Sequence, residues 1–79
     1  MENDRYKTKD IYEAAFLYAR RIKLAGLDKL GNSYWFVFEN KQEAETLSNG
    51  YWTRDADVCA KAYAEAVRSL KDMIFAQRD

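Results

Sequence analysis

The chain has 79 residues, 48% of them hydrophobic, with 13 basic and 13 acidic side chains, zero formal net charge and no histidine. A chain this short buries roughly 60–65% of its unfolded surface, which allows one small core and excludes a second domain. Lack of histidine removes Ser-His and Cys-His nucleophile pairs and His-ligated metals, and the single cysteine, Cys59, allows neither an internal disulfide nor a thiolate zinc site.

Residues 1–4 read as a frayed terminus, and Tyr6-Lys7-Thr8 as a short edge strand. A first helix starts at Thr8 or Asp10, where Asp10-x-x-Glu13 has capping-box spacing. On its wheel Ile11, Ala15, Tyr18 and Ala19 share a face flanked by Ala14, Tyr12 and Phe16, with Glu13, Arg20 and Arg21 opposite. Ile22-Lys23-Leu24 alternates as a strand does, and Tyr34-Trp35-Phe36-Val37-Phe38-Glu39 is the strongest β segment. Residues 22–28 and 33–39 are expected to pair as a hairpin, with Tyr34, Phe36 and Phe38 on one face and Trp35 and Val37 on the other. Asn40-x-x-Glu43 opens a second helix with Ala44 and Leu47 facing in, Asn49-Gly50 is expected to end it, and Tyr51-Trp52 follow as an anchor.

The last helix carries the stripe Cys59, Ala62, Tyr63, Ala66, Leu70, Met73 and Ile74, with Val67 at its edge and Asp55 or Asp57 as N-cap. It runs uninterrupted to Gln77 and should be the scaffold for the sheet. The expected fold is α+β: one layer of two to three antiparallel strands packed on helices, in the order β(short)-α-β-β-α-α, as a single domain over residues 5–77 with 78–79 frayed.

Few residues offer chemistry. Cys59 near a helix start could be an activated thiol, but with no histidine partner it reads as a small buried hydrophobe. Asp55 and Asp57 could hold a divalent cation or act as an acid–base pair; no third carboxylate stands in motif spacing, so they read as caps. Gly26, Gly31 and Gly50 form no phosphate loop. No catalytic residue, metal ligand or cofactor site is assigned, and the chain is expected not to be an enzyme.

The charges are spread evenly: six basic and four acidic side chains in residues 1–23, three and four in 24–54, four and five in 55–79. No segment is strongly basic, so nucleic acid is a disfavoured partner. An RRM fails on Ser33 before the aromatic run, Glu39 after it, and a terminal helix in place of a fourth strand. In a helix-turn-helix the recognition helix would open with Asp55 and Asp57, which repel phosphate. The polar N-terminus carries no signal h-region, and the longest apolar run, Ala14–Ala19, is too short to span a bilayer. A cytoplasmic setting without a membrane partner is expected.

Trp35 and Val37 carry the functional reading. One side of the aromatic strand must pack on helices, so these two lie either under the second helix and the Tyr51-Trp52 anchor or in the open as an apolar patch. Tyr34, Trp35, Val37, Tyr51 and Trp52 form the candidate interaction surface of a non-enzymatic binding domain, for a protein partner or a second copy. The alternative is a nucleic-acid or nucleotide-binding accessory of a mobile element, which requires Lys23, Lys29, Lys41 and Arg54 to converge beside the aromatics.

The strings Tyr6-Lys7-Thr8-Lys9-Asp10-Ile11-Tyr12-Glu13-Ala14-Ala15-Phe16-Leu17 and Trp35-Phe36-Val37-Phe38-Glu39, with Tyr63 and Ser69-Leu70-Lys71, resemble a family of short prokaryotic and phage-associated proteins known only as a domain of unknown function. The resemblance spans about residues 5–75. It implies a stand-alone small domain and supplies no catalytic residues, cofactor or partner.

Overall fold

A computed structural model describes residues 4–54 and 57–77. The expected frayed ends at 1–3 and 78–79, and Asp55 as a cap, lie outside the described residues. Among the described residues the elements are β1 (Arg5–Thr8), α1 (Ile11–Ala19), β2 (Leu24–Leu30), β3 (Ser33–Glu39), α2 (Lys41–Thr53) and α3 (Ala60–Gln77), the expected α+β order. The aromatic strand β3 is central: β1 and β2 both pair with it antiparallel, giving the sheet order β1-β3-β2.

Strand alternation sorts β3 as expected. Phe36 and Phe38 are fully buried with Ala14, Ala15, Phe16 and Leu17 of α1, Ala44 of α2, and Ala66 and Leu70 of α3. Val37 is buried outside that cluster, on the opposite face. All three helices therefore stack on one side of the sheet. The closest helix–sheet approaches are made by α1 and α2, while α3 lies against α1. That corrects the expectation that the terminal helix is the sheet's scaffold. Alanines on both sides of the α1–α3 contact (Ala14, Ala15 and Ala66) let the two helices approach closely.

Three boundaries differ from the sequence reading, each for a packing reason. Strand β2 starts at Leu24 rather than Ile22 and runs to Leu30, and the two-residue turn places Gly31 at φ 62° in the first central position, as a type II′ hairpin requires. Helix α2 passes through Gly50 and ends at Arg54, because Tyr51 continues the inward face of Ala44 and Ser48 and packs its ring 5.5 Å from that of Phe16. That contact outweighs the ~1 kcal/mol a helical glycine costs. Helix α3 begins at Ala60, so Asp57 is not its N-cap; the Cys59 carbonyl accepts from the Tyr63 N–H, and Val58 and Tyr63 occupy the positions of a hydrophobic staple.

Ile22, expected in a strand, closes α1 instead. The Arg21 N–H donates to Tyr18 O and the Ile22 N–H to Leu17 O, at 3.0 and 3.1 Å, with Leu17 and Ile22 both buried. This is a Schellman turn whose left-handed position holds Arg21 at φ 70° where glycine is usual. Arg21→Gly is expected to raise stability by about 1 kcal/mol, as a higher urea midpoint at unchanged slope.

Candidate functional site

The N-cap of α1 is Asp10, whose Oδ1 accepts from the Tyr12 and Glu13 N–H groups at 2.8 and 3.2 Å. Glu13 does not complete the capping box. The sequence wheel places it on the solvent side, yet it is 3% exposed. Its carboxylate turns inward and accepts from the Tyr6 hydroxyl at 2.5 Å, from Thr8 Oγ1 at 2.7 Å and from Ser48 Oγ. The Tyr6 and Ser48 hydroxyl oxygens also lie 3.1 Å apart. One acceptor-only group thus ties β1, α1 and α2 together.

Burial, and secondarily the bond to Glu13, raises the Tyr6 hydroxyl above its ordinary pKa. The signal for this cluster lies in two polar residues on core-facing positions: Thr8, opposite Phe36, and Ser48, one helical turn from Ala44. Glu13→Ala should lower unfolding free energy by about 2–4 kcal/mol and Tyr6→Phe by about 1 kcal/mol, both read from urea denaturation.

Of the five expected surface residues, the sheet presents two on its helix-free face, and neither is an open apolar patch. Val37 is only 4% exposed. Lys7 lies beside it on β1, and Lys7 Nζ reaches across β3 to Asp28 Oδ2 of β2 at 3.0 Å. Trp35, half-buried, has Lys9 Nζ 5.8 Å from its ring centre. Charged side chains clad this face in the way expected of the second helix. Arg5, Lys7, Asp28, Lys41 and Glu45 line a concavity of about 800 Å³ there. Tyr34 belongs to the other row of β3, half-buried at the hairpin end, with Lys29 Nζ 5.6 Å from its ring centre.

Tyr51 and Trp52 sit elsewhere, at the end of α2 on the helical side of the molecule. From the buried Phe16 ring a continuous aromatic chain runs through Tyr51 to Trp52, centroids 5.5 and 5.0 Å apart, and Trp52 is 58% exposed. Beside it, Phe16, Tyr51, Arg54, Val58 and Tyr63 line a groove of about 280 Å³ between the end of α2, the face of α1 and the start of α3. The Arg20 guanidinium stands 5.8 Å from the Phe16 ring centre and donates to the Asp57 carbonyl at 2.8 Å. Arg20 and Tyr63 are not legible as residues of this corner, because they carry capping and core signals in one dimension, whereas Phe16 is the buried floor that its core signal implies.

Tyr63 donates its hydroxyl proton to the Tyr12 carbonyl at 3.3 Å. Burial, then the neighbouring Tyr51 hydroxyl, pushes its pKa from the ordinary 10.0 up to about 12. A raised folded-state value means that this stabilisation is complete below pH 10 and is lost as pH rises through about 12. The urea midpoint should fall across that window in the wild type, and less steeply in Tyr63→Phe.

Cys59 is exposed rather than buried, since it precedes the helix instead of riding its stripe. Among the described residues no three acidic or cysteine side chains gather as a metal site. The basic residues of the nucleic-acid alternative do not converge: Lys41 and Arg54 stand at opposite ends of the 13-residue α2, about 20 Å apart.

The chain is thus a small α+β domain, a three-stranded antiparallel sheet with helices on one face. Residues 3–76 match the family described as a domain of unknown function, DUF5659, and the chain belongs to that family. This bears out the resemblance to a family without assigned function. No curated protein and no solved structure matches it. Among the described residues no helix is long and apolar enough to cross a membrane.

Proposed function

We propose that this domain is a non-enzymatic binding module that engages another protein through the aromatic corner at the end of α2. The observation that carries this reading is the exposed Trp52, joined through Tyr51 to the buried Phe16, beside a groove lined by Tyr63 and Arg54. Trp, Tyr and Arg anchored against a rigid core are the residues that concentrate binding energy at protein interfaces. A non-enzymatic role is supported by the state of Glu13, whose buried carboxylate is engaged by three hydroxyl groups inside the fold.

The sheet supports partner binding less well, since Val37 is sealed and Trp35 is capped by a lysine. Its β2 edge also resists a second copy. Antiparallel self-pairing centred on Asp28 or Lys29 opposes like charges, and centring on Leu27 runs into the irregularity between Leu24 and Gly26. Monomers are expected by sedimentation at micromolar concentration.

A photo-crosslinking residue placed at position 52 tests the reading in the native host. It should give a discrete protein adduct that the same group at exposed Lys61 does not. Equal labelling from both positions removes the proposal. Trp52→Ala should abolish complex formation while changing stability by less than about 1 kcal/mol.

A further inference from the structure

We propose that the last turn of α2 is a latch with two end points, hinged at Gly50, which covers and uncovers the Phe16 floor of the corner groove. Helix α2 carries two stop signals. The one in use is Arg54, at φ 67° in the left-handed region, its N–H donating to the Gly50 and Tyr51 carbonyls. The other is Asn49-Gly50, which the helix runs through. The end in use places a glycine inside the helix and an arginine in the left-handed region. Each disfavours that state about fivefold. Ending at Asn49 removes both penalties. Gly50 then takes the left-handed position, its N–H turning to the Leu47 carbonyl and the Tyr51 N–H to the Thr46 carbonyl.

Against those two penalties stands the packing of one side chain. Beyond Gly50, Tyr51 is half-buried, whereas Trp52, Thr53 and Arg54 are exposed. The Tyr51 ring lies 5.5 Å from that of Phe16, and Trp52 meets it edge to face at 5.0 Å. Local geometry favours the early end and the tertiary contact favours the late one, which is the opposition a two-state element needs. Outside the helix, residues 51–54 span up to about 13 Å instead of about 6 Å. That reach lets the Tyr51 ring leave Phe16, now 2% exposed, and widens the groove both share with Val58 and Tyr63. The two end points follow from the backbone and the Tyr51 contact; that they regulate binding rests on the corner reading above.

Amide hydrogen exchange on the full chain, followed by NMR under native conditions, tests the latch. Opening frees the Trp52, Thr53 and Arg54 amides while Gly50 and Tyr51 keep partners. The three should share one protection factor, with a break of at least about tenfold between Tyr51 and Trp52. Ordinary fraying grades protection residue by residue. Gly50→Ala favours the closed helix and penalises the left-handed position of the open form, so it should slow the three amides about thirtyfold, against about fivefold for fraying. Arg54→Gly relieves the closed end and should slow Trp52 and Thr53 about fivefold, an independent reading should Gly50→Ala fail to fold. Graded protection overturns the latch, as does protection equal to that of Leu47 and Ser48, or unchanged exchange in Gly50→Ala. A position-52 crosslink yield that shifts at least threefold in Gly50→Ala supports control of binding. An unchanged yield discards that control and leaves the corner reading; no adduct from either chain discards the corner reading and the control together.

Discussion

The constraint on which the structure turns is that α1, a nine-residue helix, is enclosed on three sides, with Tyr12 exposed on the remaining one. The sheet's Phe36 and Phe38 meet it from one direction, α3 lies along another, and α2 closes a third. Five consecutive residues, Glu13 through Leu17, are buried, which no amphipathic stripe allows. A helix so enclosed must either be apolar all round or satisfy its polar side chains internally. Glu13 takes the second course, and its partners come from two other elements, Tyr6 and Thr8 from β1 and Ser48 from α2, because each has to reach the same enclosed point. An unpaired buried carboxylate costs several kcal/mol, so the hydroxyl cage is a condition of the fold rather than an ornament to it.

Placing every helix around α1 leaves one face of the sheet without cover. Two solutions to exposed apolar surface then coexist in one small molecule. On the sheet, long charged side chains lie over Val37 and Trp35, burying their stems while the charged heads stay wet. The exposed Lys7–Asp28 pair contributes little by Coulomb attraction, and its effect is steric shielding. At the end of α2 Trp52 is 58% exposed, with no such cladding among the described residues. The contrast between a shielded tryptophan and an unshielded one separates the two surfaces that the sequence merges.

The sequence carried the strand alternation, the element order and the Asp10 and Asn40 caps, since these depend on nearest neighbours along the chain. What escaped it depends on three-dimensional company. Glu13 looks solvent-facing on a wheel because the wheel does not know that α1 is enclosed. Gly50 looks like a helix end because its local cost is visible and the Tyr51–Phe16 contact is not. Cys59 fits the apolar stripe by period, yet α3 starts one residue later. The corner was half legible: Tyr51 and Trp52 were identified as surface candidates, but beside Trp35 and Val37, which lie across the sheet from them.

The arginines of that corner follow from how the helices end. Helix α1 closes on Arg20 and Arg21 and α2 on Arg54, so three guanidinium groups follow two helix C-termini, where the backbone dipole favours positive charge. Lysine would serve the dipole equally, and glycine would serve the left-handed geometry at Arg21 and Arg54 with less strain. Arginine adds a planar group able to lie over an aromatic ring and still donate a hydrogen bond, as Arg20 does over Phe16 and to the Asp57 carbonyl. The helix ends therefore set the boundary of the core, and the same residues that stop α1 and α2 place Arg20 over the Phe16 ring and Arg54 in the wall of the aromatic groove.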